Sequence, residues 1–315
     1  MRTDPPWRVA TRRSVLARTQ AGHVAQALET ATGRPAELVP LSTTGDEHPE
    51  RALEAFDTKG LFVDGVRRAV LEGDCHLAVH SFKDLPTEAA EGLVVGAIPA
   101  RADPRDLLVT RDGARLATLA RDATVGTSSA RRKAQLQKAR RDLLVQPLRG
   151  NLDTRLRRVA DGDFDAVVVA MAGVLRLGPD LDVPVKAVPL EHGECLHAPA
   201  QGALAVECRA GDGEVLAALA SIDDEDTRRC VTTERALLAE LEGGCTAPIG
   251  AHAEARGDRL ELLGMLSDPS GTRLLRASAQ AALTEGDRLA AALARTLLEQ
   301  GGDAILERLR TRTTP

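Results

Sequence analysis

Short apolar, strand-like runs alternate with helix-like stretches through about residue 210, and no other feature restricts the fold as strongly. The runs are Arg8 to Thr11, Glu37 to Leu41, Leu77 to His80, Leu93 to Ile98, Leu107 to Thr110, Thr124 to Thr127, Leu143 to Pro147 and Ala166 to Ala170. Strands separated by helices need crossover connections, which predict α/β sheets with helices on both faces. The last third changes character. Asp224 to Glu242 reads as a helix, and three short strands follow near Ala251 to Ala255, Arg259 to Leu266 and Arg273 to Gln280. Gly257-Asp258 and Asp268-Pro269-Ser270-Gly271 supply the turns. A helix from about Thr284 to Gln300 then closes a separate α+β domain with a three-stranded antiparallel sheet.

With 315 residues and 43% apolar content, the chain has material for two or three cores. Its net charge of -5 excludes an overall basic field for nucleic acid or an acidic membrane, so any anion site must be a local patch. Aromatic residues make up 2%, with no tyrosine, which leaves few rings for stacking on bases. Arginines outnumber lysines by 36 to 5. A planar two-pronged donor suits carboxylates, although genomic base composition is the plainer reading of the bias as a whole. The five cysteines, Cys75, Cys195, Cys208, Cys230 and Cys245, are odd in number and show no C-x-x-C spacing. Neither a disulfide framework nor a metal site is expected, and a reducing cytoplasm is the natural setting. Met1 to Arg13 has no apolar targeting run, and Ala166 to Leu175 is too short to cross a bilayer.

Polar turns follow several strands. Val9-Ala10-Thr11-Arg12-Arg13-Ser14 and Val125-Gly126-Thr127-Ser128-Ser129-Ala130-Arg131-Arg132 each leave a strand through hydroxyls and arginines into a helix. Unpaired N–H groups at the helix start, with those side chains, form an anion site. Simple N-capping with solvated arginines is the alternative for either turn alone. Ser81, Lys83 and Asp84 follow the run ending at His80 and lie where α/β sheets place ligands, beyond strand carboxyl ends. Asp84 also reads as a turn cap before Pro86, and His80 as a packing residue. Arg149 and Arg155 flank another strand end, and Arg176 follows the run at Val167 to Ala170. Together these cations suit a substrate with several carboxylates.

Cys245 sits in Glu242-Gly243-Gly244-Cys245-Thr246-Ala247-Pro248, where glycines free the backbone before the thiol and proline stiffens it after. Buried structural cysteines usually lie inside apolar runs, so this one reads as an attachment point or a nucleophile.

The segments His80-Ser81-Phe82-Lys83-Asp84-Leu85-Pro86, Gly126 through Arg132, Leu148-Arg149-Gly150-Asn151, Gln201-Gly202-Ala203 and Glu242-Gly243-Gly244-Cys245 resemble the porphobilinogen deaminase (hydroxymethylbilane synthase) family in order and spacing. The resemblance implies a transferase of tetrapyrrole (haem, porphyrin) biosynthesis that joins four porphobilinogen molecules head to tail with release of ammonia. Hydrolysis then frees hydroxymethylbilane. It implies a covalent dipyrromethane cofactor, held as a thioether at the position of Cys245, and Asp84 with Lys83 as catalytic residues. Ser81, Lys83, Asp84, Thr127, Ser129, Arg131 and Arg132 match positions that hold the cofactor. Arg12, Ser14, Gln20, Lys59, Arg149, Arg155 and Arg176 match positions that hold substrate carboxylates.

The family fold implies two periplasmic-binding-protein-like doubly wound lobes and a C-terminal domain. Here these fall at residues 1–100 with 200–221, at 101–199 and at 222–315. Hinges are expected near Arg101 and Pro199, and a lid at Ser42 to Gly60. Val15, Asp57-Thr58 and Ala200 depart from the family pattern, which commonly has proline, glycines and glycine there. Cys75, Cys195, Cys208 and Cys230 match no functional position and are expected to pack in cores. The expected protein is a cytoplasmic monomer acting on porphobilinogen, with no nucleic-acid, membrane or metal partner. A two-lobed carboxylate-binding protein would leave Cys245 unexplained. A nucleic-acid binder built on Arg131-Arg132-Lys133 and Lys138-Ala139-Arg140-Arg141 lacks aromatic partners.

Overall fold

The first elements in chain order are β1 (Trp7–Arg12), α1 (Val15–Thr32), β2 (Ala36–Leu41), α2 (Asp64–Leu71), β3 (Leu77–Ser81) and β4 (Leu93–Ala97). Next come β5 (Asp106–Thr110), β6 (Thr124–Gly126), α3 (Ala130–Ala139), β7 (Leu144–Gln146), α4 (Leu152–Ala160), β8 (Ala166–Ala170), α5 (Met171–Leu177) and β9 (Lys186–Leu190). The chain continues through β10 (Leu204–Arg209), α6 (Gly213–Ala220), α7 (Glu225–Glu240), β11 (Ile249–Arg256), β12 (Arg259–Ser267), β13 (Leu274–Ala282), α8 (Gly286–Leu297) and α9 (Asp303–Thr313). This is a computed structural model, and it describes residues 4–42, 63–178, 181–241 and 247–313. Two compact units result, Met1–Ala102 with Ala203–Arg228 and Asp103–Gly202 with Arg229–Pro315.

In the first unit the sheet order is β2-β1-β3-β10-β4. β1 pairs in parallel with β2 and β3, whereas β10 runs antiparallel to β3 and β4. Successive residues of β1 point to opposite faces, and both faces are covered. Val9 packs with Val24 and Leu28 of α1 on one side, while Ala10 packs with Val66 and Val70 of α2 on the other. Ser14 caps α1 by accepting from Ala17 N at 3.3 Å, and Gly33, at φ 71°, ends it in the left-handed conformation glycine favours. Full burial of Leu28 contributes about 1.5–3 kcal/mol.

The sheet of the second unit has the same plan, β7-β6-β8-β5-β9, with β6 parallel to β7 and β8, and β5 antiparallel to β8 and β9. Val168 and Leu108 pack with Leu136 of α3, and Val169 and Leu107 with Leu156 and Val159 of α4. The C-terminal antiparallel sheet, β11-β12-β13, has its own core of Leu262, Leu237, Leu289, Leu293 and Leu297, supplied by β12, α7 and α8. The fold class is therefore α/β, with two doubly wound sheets and a C-terminal α+β part, as expected.

Details differ from the expectation. β9 and β10 were not among the expected strands. β9 carries Pro189 on a sheet edge, where its missing N–H is tolerated. β10 buries Glu207, a charge that breaks its apolar pattern, on an interior strand between β3 and β4. The expected terminal helix stops at Leu297, and after Gly301, at φ 100°, α9 follows.

Candidate active site

The parallel pairing of β1 with β3 brings their carboxyl ends to the same edge of the first sheet, with Val9 opposite Leu77 and Ala10 opposite Ala78. Arg12 and Ser14 leave from one strand, and Ser81, Lys83 and Asp84 from the other. Gln20, buried on α1, accepts a hydrogen bond at 3.1 Å from Ser81 Oγ, which locks the helix to the strand end. Lys83 and Asp84 occupy a single 3₁₀ turn, Phe82–Asp84, closed by Leu85 N donating to Phe82 O at 3.2 Å. Phe82 is buried and anchors the turn, which leaves Asp84 exposed beyond β3. His80 is buried and packs as expected, with Nε2 3.2 Å from Glu207 Oε2.

In the second unit, Thr127 and Ser129 form the turn from β6 into α3. Thr127 Oγ1 accepts from Ser129 N at 3.2 Å, and Ser129 Oγ accepts from Arg132 N at 3.4 Å as the helix cap. Arg131 and Arg132 point into the protein, at 5% and 6% exposure, and share one fully buried carboxylate. Arg132 Nη2 is 2.7 Å from Asp106 Oδ1 and Arg131 Nη1 is 2.9 Å from Oδ2. Gln201 Nε2 adds a bond of 2.8 Å to Asp106 Oδ1. Burial opposes ionisation of Asp106, but the two guanidiniums outweigh it and hold the carboxyl well below the usual carboxylate range. The cluster keeps one net positive charge, and Arg132 Nε is buried with no hydrogen-bond partner among the described residues.

Arg155 and Arg176 are half-buried cations bonded to backbone oxygens, Nε of Arg155 to Gly150 O at 2.8 Å and Nη2 of Arg176 to Gly202 O at 2.6 Å. Burial lowers both pKa values, and takes that of Arg176 to about 10. A desolvated cation bonded to a neutral carbonyl still has charge for a carboxylate to neutralise. Arg149 is exposed in the turn after β7. Cys245, Lys59 and residues 43–60 of the expected lid lie outside the described residues.

Sequence reasoning missed Asp106 as the partner of Arg131 and Arg132. Its signal was a carboxylate at the start of an otherwise apolar central strand, a position that demands a cationic partner. Ala200, where the family commonly has glycine, stands at φ 59°, a left-handed conformation that disfavours any side chain by about 1–2 kcal/mol. Its N–H donates to the buried Glu234 Oε2 at 2.7 Å. Cys75, Cys195, Cys208 and Cys230 are buried, as expected of packing residues. Burial pushes Cys195 up to about 12 and Cys208 up to about 11, so neither is a thiolate at neutral pH.

Two doubly wound sheets, each with cationic and hydroxyl turns at its strand carboxyl ends, define the class of α/β protein to which the chain conforms. The family model described as "Porphobilinogen deaminase, dipyromethane cofactor binding domain" matches residues 7–217, and "Porphobilinogen deaminase, C-terminal domain" matches 228–299. The chain belongs to the porphobilinogen deaminase family. It is 48% identical over 308 residues to the porphobilinogen deaminase of Mycolicibacterium paratuberculosis, covering 95% of this chain and 96% of that one. It is equally 48% identical to that of Nocardia farcinica, over 313 residues, covering 96% and 89%. Among solved structures, the Bordetella pertussis BvgS periplasmic VFT2 domain aligns at TM-score 0.41 and 17% identity, covering 69% of this chain and 86% of that one. The methionine-binding protein MetQ aligns at TM-score 0.42 and 11% identity, covering 73% and 94%. Likeness at that level carries no functional weight. Among the described residues, no helix is long and apolar enough to cross a membrane.

Proposed function

We propose that this chain is a hydroxymethylbilane synthase. It joins four porphobilinogen molecules head to tail, releases one ammonia for each, and hydrolyses the product free. The observation that carries the reading is the exposed carboxylate of Asp84 on its 3₁₀ turn beyond β3, beside Ser81 and Lys83, within the family's cofactor-binding domain. Loss of ammonia leaves a cationic pyrrole carbon whose charge is shared with the ring nitrogen. A fixed carboxylate near that N–H stabilises the charge and takes up a proton as the next bond forms.

The residues fit the dipyrromethane group that the family domain binds. Its carboxylates need cations, and Arg155, Arg176 and the net positive Asp106–Arg131–Arg132 cluster supply them. Its pyrrole N–H groups need an acceptor, which Asp84 offers. When bound, the group supplies a permanent primer whose terminal ring accepts each new unit. Cys245, as a soft thiolate, is the attachment residue, with Thr127, Ser129, Arg131, Arg132, Ser81 and Lys83 holding and orienting the primer. Arg131 and Arg132 act chiefly through the positive potential of their cluster, since each directs one Nη at Asp106 and donates Nη1 to a buried carbonyl, Leu196 O and Val168 O respectively. Arg12, Ser14, Gln20, Lys59, Arg149, Arg155 and Arg176 bind the carboxylates of incoming units. Gln20 acts by fixing Ser81.

The enzyme works as a cytoplasmic monomer, without nucleic acid or membrane, a reading supported by its acidic charge balance and by an odd number of cysteines with no C-x-x-C spacing. The experiment is turnover of porphobilinogen by Asp84→Ala. Retained fold by circular dichroism with turnover reduced by more than ~100-fold is expected. Wild-type turnover would contradict the role.

A further inference from the structure

Three of the seven histidines converge in the second unit, and none belongs to the residues assigned above to primer or substrate. His192 lies in the turn after β9, His197 five residues on, and His252 on β11. The rings of His192 and His252 stack with centroids 4.0 Å apart, and that of His197 stands edge-on to both, at 5.3 and 5.1 Å. One ring nitrogen from each lies within 4.8 Å of the others.

The hydrogen bonding orients these nitrogens. His197 Nδ1 is 2.9 Å from Ala198 O, and since a carbonyl oxygen only accepts, Nδ1 carries the proton. In the neutral ring the lone pair then sits on Nε2, which faces His252 Nδ1 at 3.0 Å. A backbone carbonyl that holds one imidazole nitrogen protonated, so that the other is turned inward, is the usual outer support of a metal-ligating histidine. His192 Nδ1 is buried with no hydrogen-bond partner among the described residues. Leaving such a group unsatisfied costs about 1–3 kcal/mol, which an ion bound there would relieve.

The surroundings hold the trio in place. Ala251 N donates to His197 O at 3.1 Å, and a methyl group at Gly250 would fall 3.0 Å from Leu196 O, so glycine there lets β11 approach the loop. Fully buried Glu234 accepts from Ala200 N on one side of the trio, at 2.7 Å, and from Ala253 N on the other, at 2.9 Å. Asp103, Glu191 and Glu234 lie near enough to act on His192 as negative charges, and Arg105, paired with Asp103 and Glu191, as a positive one, a local balance that leans acidic.

We propose that His192, His197 and His252 bind a divalent first-row transition ion, with Zn²⁺ the best match to three imidazoles and one open position. Zinc–nitrogen bonds of about 2.0–2.1 Å place tetrahedral ligands about 3.3 Å apart; His197 Nε2 and His252 Nδ1 are 3.0 Å apart, and His192 must turn out of its stack on His252 to complete the set. The ion ties the loop after β9 to β11, the strand that follows the Cys245 segment in sequence.

The test uses full-length protein stripped with a chelator and titrated with Co²⁺, then Zn²⁺. Expected are one cobalt per chain with the visible absorption of a four-coordinate site, its displacement by zinc, and a rise in Tm with zinc. His192→Gln and His252→Gln should each weaken binding by roughly 10- to 100-fold or more. Absence of both a cobalt spectrum and a zinc-dependent Tm shift in the wild-type protein would overturn the site. So would unchanged affinity in either variant, which would locate the ion elsewhere. The wild-type titration decides the matter if a variant fails to fold.

Discussion

Arg132 Nη2 lies 2.7 Å from Asp106 Oδ1, and the carboxylate it meets is fully buried. Arg131 holds the other oxygen of the same carboxylate. Removing that carboxylate leaves two cations buried without compensation, which costs about 3–5 kcal/mol even where replacing a whole ion pair would not. Asp106→Asn is therefore expected to lower the urea unfolding free energy by about that amount. A loss below about 1 kcal/mol would show that the cations find other partners.

Glu207 predicts a pH dependence for the first unit. Burial opposes its ionisation, but the Arg67 guanidinium, bonded to both oxygens at 2.7 and 2.8 Å, and His80 hold its pKa at about 2, below the ordinary 4.5. A depressed carboxyl contributes stability that is present above pH 4.5 and is lost as pH falls through about 2. The stake is about 3 kcal/mol. Thermal melts between pH 6 and 3 should show the wild type losing stability more steeply than Glu207→Gln. Parallel curves would contradict the assignment.

Arg176, whose charge is desolvated against Gly202 O, is expected to act on substrate carboxylates. A charge-assisted bond of about 1.5–3 kcal/mol corresponds to a loss of roughly 10- to 150-fold in kcat/KM for Arg176→Ala. Arg176→Lys should keep part of it, since lysine retains the charge but not the planar fork. Steady-state kinetics with porphobilinogen decides, and unchanged kinetics in Arg176→Ala would remove it from the site.

Much of this was legible in the chain. The short apolar runs at Val9 and Val167 and the hydroxyl turns after strands report local structure, so strand ends and helix caps such as Ser14 and Ser129 could be read directly. Partnerships between distant residues could not. Arg131 and Arg132 read as open carboxylate binders because Asp106, which neutralises part of their charge, precedes them by a whole β-strand and turn. β10 was unreadable because the Glu207 that interrupts its pattern is made tolerable only by Arg67 and His80 on other elements. The histidine trio joins residues 192 and 252, a separation at which spacing motifs carry no information. Ala200 was seen as a departure, but its left-handed backbone became visible only in the structure.

A hydroxymethylbilane synthase primed at Cys245 carries its cofactor covalently, so the intact mass of the purified full-length protein reveals it. A mass excess matching two linked pyrroles is expected in the wild type, with none in an inactive Cys245→Ala variant. An unmodified protein with full turnover of porphobilinogen, or an excess that persists in Cys245→Ala, would contradict it.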